Sequence, residues 1–254
     1  DFKKQNGGPT YVFETAEDVL LAYYAILEDA SSMAGYSGGC GTVGQADLPY
    51  PYAYELLTAQ KQRRTPLDEF IKSFAGIGHI TLLTAVPAYA PPDTPPTVKY
   101  YMVEVEAVTD RKETGDAPCG RGSLFAYYYG LVTLRHTPDG GWKIDELDYI
   151  PEDFLCAPAH GWFYWAEAVV QIVYGENLNV IETVERTVSD GDAVSVYASG
   201  GGTRYRFDFV RLTNGYDILL HEYVMEGGSW NETALLPDAW KAYKLEARSI
   251  RPDQ

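Results

Sequence analysis

Gly35-Tyr36-Ser37-Gly38-Gly39 has the spacing G-x-S-x-G, in which a serine on a sharp strand-to-helix turn offers its hydroxyl to a histidine base. Ser37 is therefore the one candidate nucleophile for a serine hydrolase, with His160 or His221 as a base only by assumption. The segment follows a helical pattern, and no strand–helix–strand alternation surrounds it, so the context the chemistry needs is missing. The overlapping Gly39-Cys40-Gly41-Thr42-Val43-Gly44 matches G-x-G-x-x-G, but neither flank supplies the strand and helix that would cradle a phosphate. Both matches arise from one glycine-rich loop between helices. Asp145, Glu146 and Asp148 could do acid–base work or hold calcium. Read at a period of two, Asp145 and Leu147 face one side, Glu146 and Asp148 the other, and the run is a solvated strand face. Glu104 and Glu106 alternate with Val103 and Val105; if the valines meet helices, the glutamates face out or toward a partner sheet. Ser189-Asp190-Gly191-Asp192 lacks further calcium ligands and reads as a turn. His79, His136, His160 and His221 are too scattered for a metal site, although a histidine in a pocket would titrate near neutral pH. These residues call for no metal and no cofactor.

The 254 residues carry 20 basic and 36 acidic side chains, a formal charge of −16. Residues 1–158 hold a net −10 and residues 159–254 a net −6, so the acidity is no tail. Such a surface argues against a nucleic-acid partner, and an anionic membrane face would repel it. No stretch approaches the ~20 apolar residues of a membrane span. Tyrosine outnumbers phenylalanine 21 to 9, which suits half-buried sheet faces and wet cavities. Cys40, Cys119 and Cys156 form no C-x-x-C pair, so no structural zinc site is expected. Cys119 and Cys156 flank a hairpin almost symmetrically and are the candidate disulfide; the alternative is three free thiols.

The elements that must position these groups are legible from spacing. Residues 1–9 read as a tether. Thr15 caps a helix as T-x-x-D, with Leu20, Tyr23, Tyr24 and Leu27 at helical intervals, ending by Gly35. A second helix follows Pro51 to about Arg63. A third takes Thr65 as cap and Pro66 as its first residue, with Leu67, Phe70, Ile71 and Phe74 as its apolar face. The period then falls to two over His79–Ala88, Val98–Thr109, Ser123–His136 and Trp142–Ile150. The third of these strands is apolar on both faces and should be central. Pro151 and Pro158 mark a boundary. Beyond it lie a helix over Gly161–Tyr174, with Trp162, Trp165, Val169 and Val173 on one stripe, and four strands. These cover Val180–Val188, Ala193–Ala198, Thr203–Thr213 and Tyr216–Met225, with Asn214-Gly215 as a two-residue hairpin turn. A short helix over Pro237–Leu245 closes the chain. Gly141-Trp142-Lys143-Ile144 echoes Gly215-Tyr216-Asp217-Ile218, compatible with a diverged duplication or with two ordinary amphipathic hairpins.

Three helices followed by a curved antiparallel sheet, closed by the Gly-Gly-Trp-Lys-Ile-Asp hairpin of Leu131–Ile150, resemble the NTF2-like superfamily over residues 10–158. The likeness is to bacterial secreted or lipid-anchored members. In the hairpin, Trp142 and Ile144 point to the helices while Lys143 and Asp145 face out. The resemblance implies an α+β cone whose helices fold over the concave sheet face and can leave a pocket. Residues 159–254 form a smaller helix-plus-antiparallel-sheet unit. By helix and strand facing, Tyr23, Tyr54, His79, Tyr101 and Tyr128 are the candidate pocket lining. The chain opens at Asp1 without a methionine, so a leader or tag is expected to have been removed. The functional expectation is an extracellular or cell-surface, non-catalytic module. It would bind a small molecule, a peptide or a cell-surface partner, or pair with itself through a sheet face. The alternative is an NTF2-like enzyme of isomerase or dehydratase type, which needs a buried Asp, Glu or His aimed into the cone.

Overall fold

A computed structural model of the chain describes residues 12–32, 47–109, 124–138, 141–154 and 161–250. Ser37, the three cysteines and His160 lie outside these residues. The described chain divides into two compact units. One runs to Pro87 and resumes over Pro92–Pro151; the other takes Ala88–Pro91 and everything from Glu152 on. The fold is α+β in both units.

In the first unit Thr15 accepts from the Asp18 amide at 3.1 Å and opens α1, Ala16–Glu28. The helix ends at Asp29, well before Gly35. The expected single helix over 51–63 is two: α2, Tyr50–Glu55, and α3, Ala59–Arg64. The break has a tertiary cause. Ile144 N–H donates to Leu56 O at 2.9 Å, and Thr58 N–H donates to Ile144 O at 2.8 Å, so the linker pairs as a short parallel bridge with an edge strand. That bridge satisfies an edge that would otherwise stand open. The next helix, α4, Leu67–Lys72, is capped by Pro66 and not by Thr65, whose backbone is extended as residues before proline prefer. Leu67 is exposed, leaving Phe70 and Phe74 as its buried face.

The sheet of this unit has the order β1 (Ile77–Pro87), β2 (Val98–Thr109), β3 (Leu124–His136), β4 (Trp142–Pro151), all antiparallel. β3 is internal, as its two apolar faces require. Val103, Val105, Val132, Leu134 and Ile144 pack with Leu20, Tyr24 and Leu27 of α1 in one core. Register shifts fall at Gly78, near Leu83, and at Asp145, and each extra residue bends its strand and flips the side-chain phase beyond it. The last shift corrects the reading of the carboxylate run. Ile144 and Leu147, three apart, both pack on the helix side. Asp145 is buried, taking the Thr58 hydroxyl at 2.7 Å and the Arg135 guanidinium at 3.0 Å. Glu146 pairs with Lys61 and Arg64 of α3. None of this is a solvated face. Glu104 does not face out either: it is 2% exposed, on the side of β2 opposite Val103 and Val105. Glu106 accepts from the Tyr127 hydroxyl at 2.6 Å.

The second unit holds a five-stranded antiparallel meander: β5 (Thr183–Asp190), β6 (Ala193–Gly200), β7 (Thr203–Arg211), β8 (Asp217–Glu226), β9 (Ser229–Thr233). Four strands were expected. The fifth is reached through Gly227-Gly228, whose φ values of 58° and 85° fit a tight turn that side-chain-bearing residues resist. Leu212 and Tyr216 flank a three-residue loop, Thr213–Gly215, in place of the expected two. The helix expected over 161–174 is a composite. A 3₁₀ turn at Trp162–Tyr164 precedes α5, Ala166–Val169, which widens into a π turn over Val170–Asn177. Asp217 takes the Ala166 amide at 3.1 Å while paired with Arg211 at 2.8 Å, so β8 supplies the cap of α5. Val169, Val173, Tyr174, Val196, Phe207 and Leu219 share a core, whereas Trp162 and Trp165 are exposed. A 3₁₀ turn over Asp238–Tyr243 and α6, Ala247–Ile250, follow. The two hairpins that echo one another in sequence, β3–β4 and β7–β8, each carry a bulge in the second strand, at Asp145 and Leu220, one position apart in the shared frame.

Candidate functional site

The concave side of the first sheet and the helices above it enclose a cavity of about 1070 Å³. Helical spacing turns Tyr23, Tyr24 and Leu27 of α1 inward. Alternation places Val105 and Ala107 of β2 opposite them, with Tyr128 of β3 beside Val105 in register. The bulge at Gly78 lets Ile77 and Ile80 both reach the wall. The bulge at Asp145 does the same for Leu147 and Tyr149. Phe70 and Phe74 of α4 close one side. The walls run from buried Tyr23 and Tyr24, each 2% exposed, out to exposed Ser73 and Ala75.

Polar groups here are few. Tyr24 Oη and Tyr149 Oη share a hydrogen bond of 2.6 Å. Tyr23 stands edge-on to Tyr24 at 5.3 Å between ring centroids, and its hydroxyl has no hydrogen-bond partner among the described residues. Lys61 reaches the wall with its ammonium held by Glu146. Among the described residues, no Asp, Glu or His lines the cavity. Nor do three His, Cys, Asp or Glu side chains gather anywhere in them to hold a metal ion.

Desolvation by the packed walls pushes the phenols up, fully for Tyr23 and Tyr24, while Tyr149 stands at the mouth and is 40% exposed. Tyr149 is raised to about 12, chiefly by desolvation against the lowering effect of its bond with Tyr24. Tyr23 and Tyr24 are raised well above 10 by desolvation first and then by the nearby Tyr149. These groups hold their protons in the folded chain at a pH where the unfolded chain, ionising near 10, releases them. Their contribution to stability is therefore complete below pH 10 and is lost as pH rises above it, for Tyr149 through about 12. An absorbance titration at 295 nm should show tyrosines that stay protonated past pH 11 until the chain unfolds. Complete ionisation of all tyrosines near pH 10 in folded protein would contradict the buried phenols.

Of the five expected lining residues, the structure brings Tyr23 and Tyr128 to the cavity. Tyr54 turns away, its hydroxyl donating to Gln62 O at 3.0 Å and Thr65 O at 3.1 Å where α3 meets α4. His79, displaced by the Gly78 bulge, pairs with Val108 on the opposite sheet face. Tyr101 is packed into the solid part of the core, near Glu17 of α1. Tyr24 and Tyr149 were not foreseen. Tyr24 carried a signal, since it shares the helical stripe of Tyr23; Tyr149 carried none without the bulge.

No protein-family model matches the chain, and no curated protein matches it. Among solved structures, the chain is similar to an "Ntf2 like protein involved in plasmid conjugation" at 11% identity, over 87% of this chain and 98% of that one. The TM-score is 0.24, too poor a superposition to establish a shared fold. No described helix is long and apolar enough to cross a membrane.

Proposed function

We propose that the first unit is an NTF2-like cone acting as a non-catalytic module of an exported protein, lipid-anchored in its full form, that binds a small, largely apolar molecule. The observation that carries the binding reading is the tyrosine-lined cavity of about 1070 Å³, walled by aliphatic and aromatic side chains around a few hydroxyls. A cavity of that size sits in the range of ligand sites and well above a packing defect. Acid–base catalysis asks for a titratable group within reach of a substrate proton. The lining offers phenols pushed further from neutrality and an ammonium already paired, which favours binding over turnover. Export draws its support from the polar opening segment and the evenly acidic surface.

Nile red, an uncharged planar dye, is a direct probe. The protein should bind it saturably, with enhanced emission. Filling the cavity with Ala107→Trp should weaken that binding by about tenfold or more, the equivalent of ~1.4 kcal/mol. Binding that is absent, or indifferent to Ala107→Trp in folded protein, would end the cavity reading. Recovery of the protein only from the cytosol on cell fractionation would end the export reading.

A further inference from the structure

Resting on the reading of the cavity as a binding site, we propose that its ligand is an uncharged molecule fixed by an acceptor oxygen that takes the Tyr23 hydroxyl proton. Tyr23 is 2% exposed and faces the cavity, with no acceptor for its hydroxyl among the described residues. Its hydroxyl oxygen opens on the cavity rather than being sealed in protein, so a ligand that displaces water from it must accept its proton in water's place or forfeit that bond. The adjacent pair adds to the imbalance. Tyr24 and Tyr149 have two hydroxyl protons and one hydrogen bond between them, so one proton there is also left over. Two hydroxyl protons thus lack an acceptor among the described residues, and an orphaned donor is rarer than a spare lone pair, so an acceptor is the complementary chemistry.

Charge narrows the class further. The ammonium of Lys61, the cation at the wall, is engaged by Glu146, which also holds Arg64 at 2.9 Å. A carboxylate or sulfonate entering the cavity would have to break that pair or go unpaired in an apolar space. An ammonium ligand would find no carboxylate in the described lining. A carbonyl or ether oxygen on a flat apolar frame meets the donors at no such cost. Phe70, Phe74 and Tyr128 supply the aromatic part of the wall such a frame would lie against.

The test compares Nile red, which carries a carbonyl acceptor and shifts its emission to the red when that carbonyl is hydrogen-bonded, with the anionic 1-anilinonaphthalene-8-sulfonate. Wild-type protein should bind Nile red with the red-shifted band and resist displacement by the sulfonate. Tyr23→Phe keeps the ring and removes only the donor. It should weaken Nile red by about tenfold and move its emission to the blue, with near-ultraviolet circular dichroism unchanged. If Tyr23→Phe binds as wild type while Ala107→Trp abolishes binding, the donor assignment is wrong and the cavity reading stands. If the sulfonate displaces Nile red at equal concentration, the restriction to uncharged ligands is wrong. If wild-type protein binds no Nile red, both proposals fall together.

Discussion

Replacing Lys244 with methionine is expected to destabilise the second unit by about 3–5 kcal/mol. Lys244 is 2% exposed and Glu222 is 1% exposed, and Lys244 Nζ donates to Glu222 Oε2 at 2.8 Å. The other carboxylate oxygen accepts from the Tyr174 hydroxyl at 2.9 Å and from the Leu235 amide at 3.1 Å. The ammonium also sits 3.5 Å from the ring centre of Tyr89. Methionine matches the lysine stem in volume, so the loss comes from charge and not from a void. An ionised carboxylate would remain inside with two neutral donors and no cation, and desolvation would dominate. Glu222→Gln added to Lys244→Met should recover most of the loss. The amide oxygen still accepts from Tyr174 and Leu235, and no buried charge remains. Urea denaturation followed by tryptophan fluorescence reports on this unit, because Trp162, Trp165, Trp230 and Trp240 lie in it and Trp142 alone lies in the other. A single variant within 1 kcal/mol of wild type, or a double variant no better than the single, would show that the pair does not carry its charges in the folded chain.

That pair was invisible in the sequence, and the reason is general to this molecule. Local patterns announce strands and their limits: alternation marked Val98–Thr109 to the residue. They do not announce where one strand takes an extra residue against its neighbour. The bulge at Asp145 leaves no trace in composition, yet it turns Leu147 and Tyr149 toward the helices and takes Asp145 out of solvent. The phase read onward from Trp142 and Ile144 is correct before the bulge and inverted after it. Tyr23 and Tyr128 were legible because no bulge separates them from the residues that set their phase. His79 was misread because one does, at Gly78. The helix expected over 51–63 failed for a tertiary reason, since helix propensity knows nothing of the β4 edge that captures Leu56–Thr58. The fifth strand of the second unit, Ser-Trp-Asn-Glu-Thr, is short, polar and largely exposed, so it offers no alternation to read.

Gly130→Ala is expected to cost about 3 kcal/mol and to dismantle the cavity wall with it. Gly130 lies in the middle of β3, in register between Val103 and Tyr149. A Cβ there would stand 1.8 Å from the Asp148 carbonyl oxygen and 2.8 Å from its carbon. Both are backbone atoms, so no rotamer change makes room, and either β4 moves away or β3 straightens. The absent side chain is thus what lets the two strands close tightly at the bend, the use of glycine expected at a sheet kink. The consequence reaches the site because Tyr149 is Gly130's cross-strand partner and holds Tyr24 at 2.6 Å. If β4 shifts, opening that hydrogen bond removes a lowering influence, but Tyr149 also loses the larger desolvation that raises it, so its ionisation should fall from about 12 toward 10. Denaturation and the 295 nm titration read the two effects separately. A variant that is both as stable as wild type and unchanged in its tyrosine titration would mean that the close crossing at Gly130 does not set the position of Tyr149. Loss of stability with the titration unchanged would assign Gly130 to the sheet alone. Loss of both would tie the curvature of the sheet, through one missing Cβ, to the phenols that line the cavity.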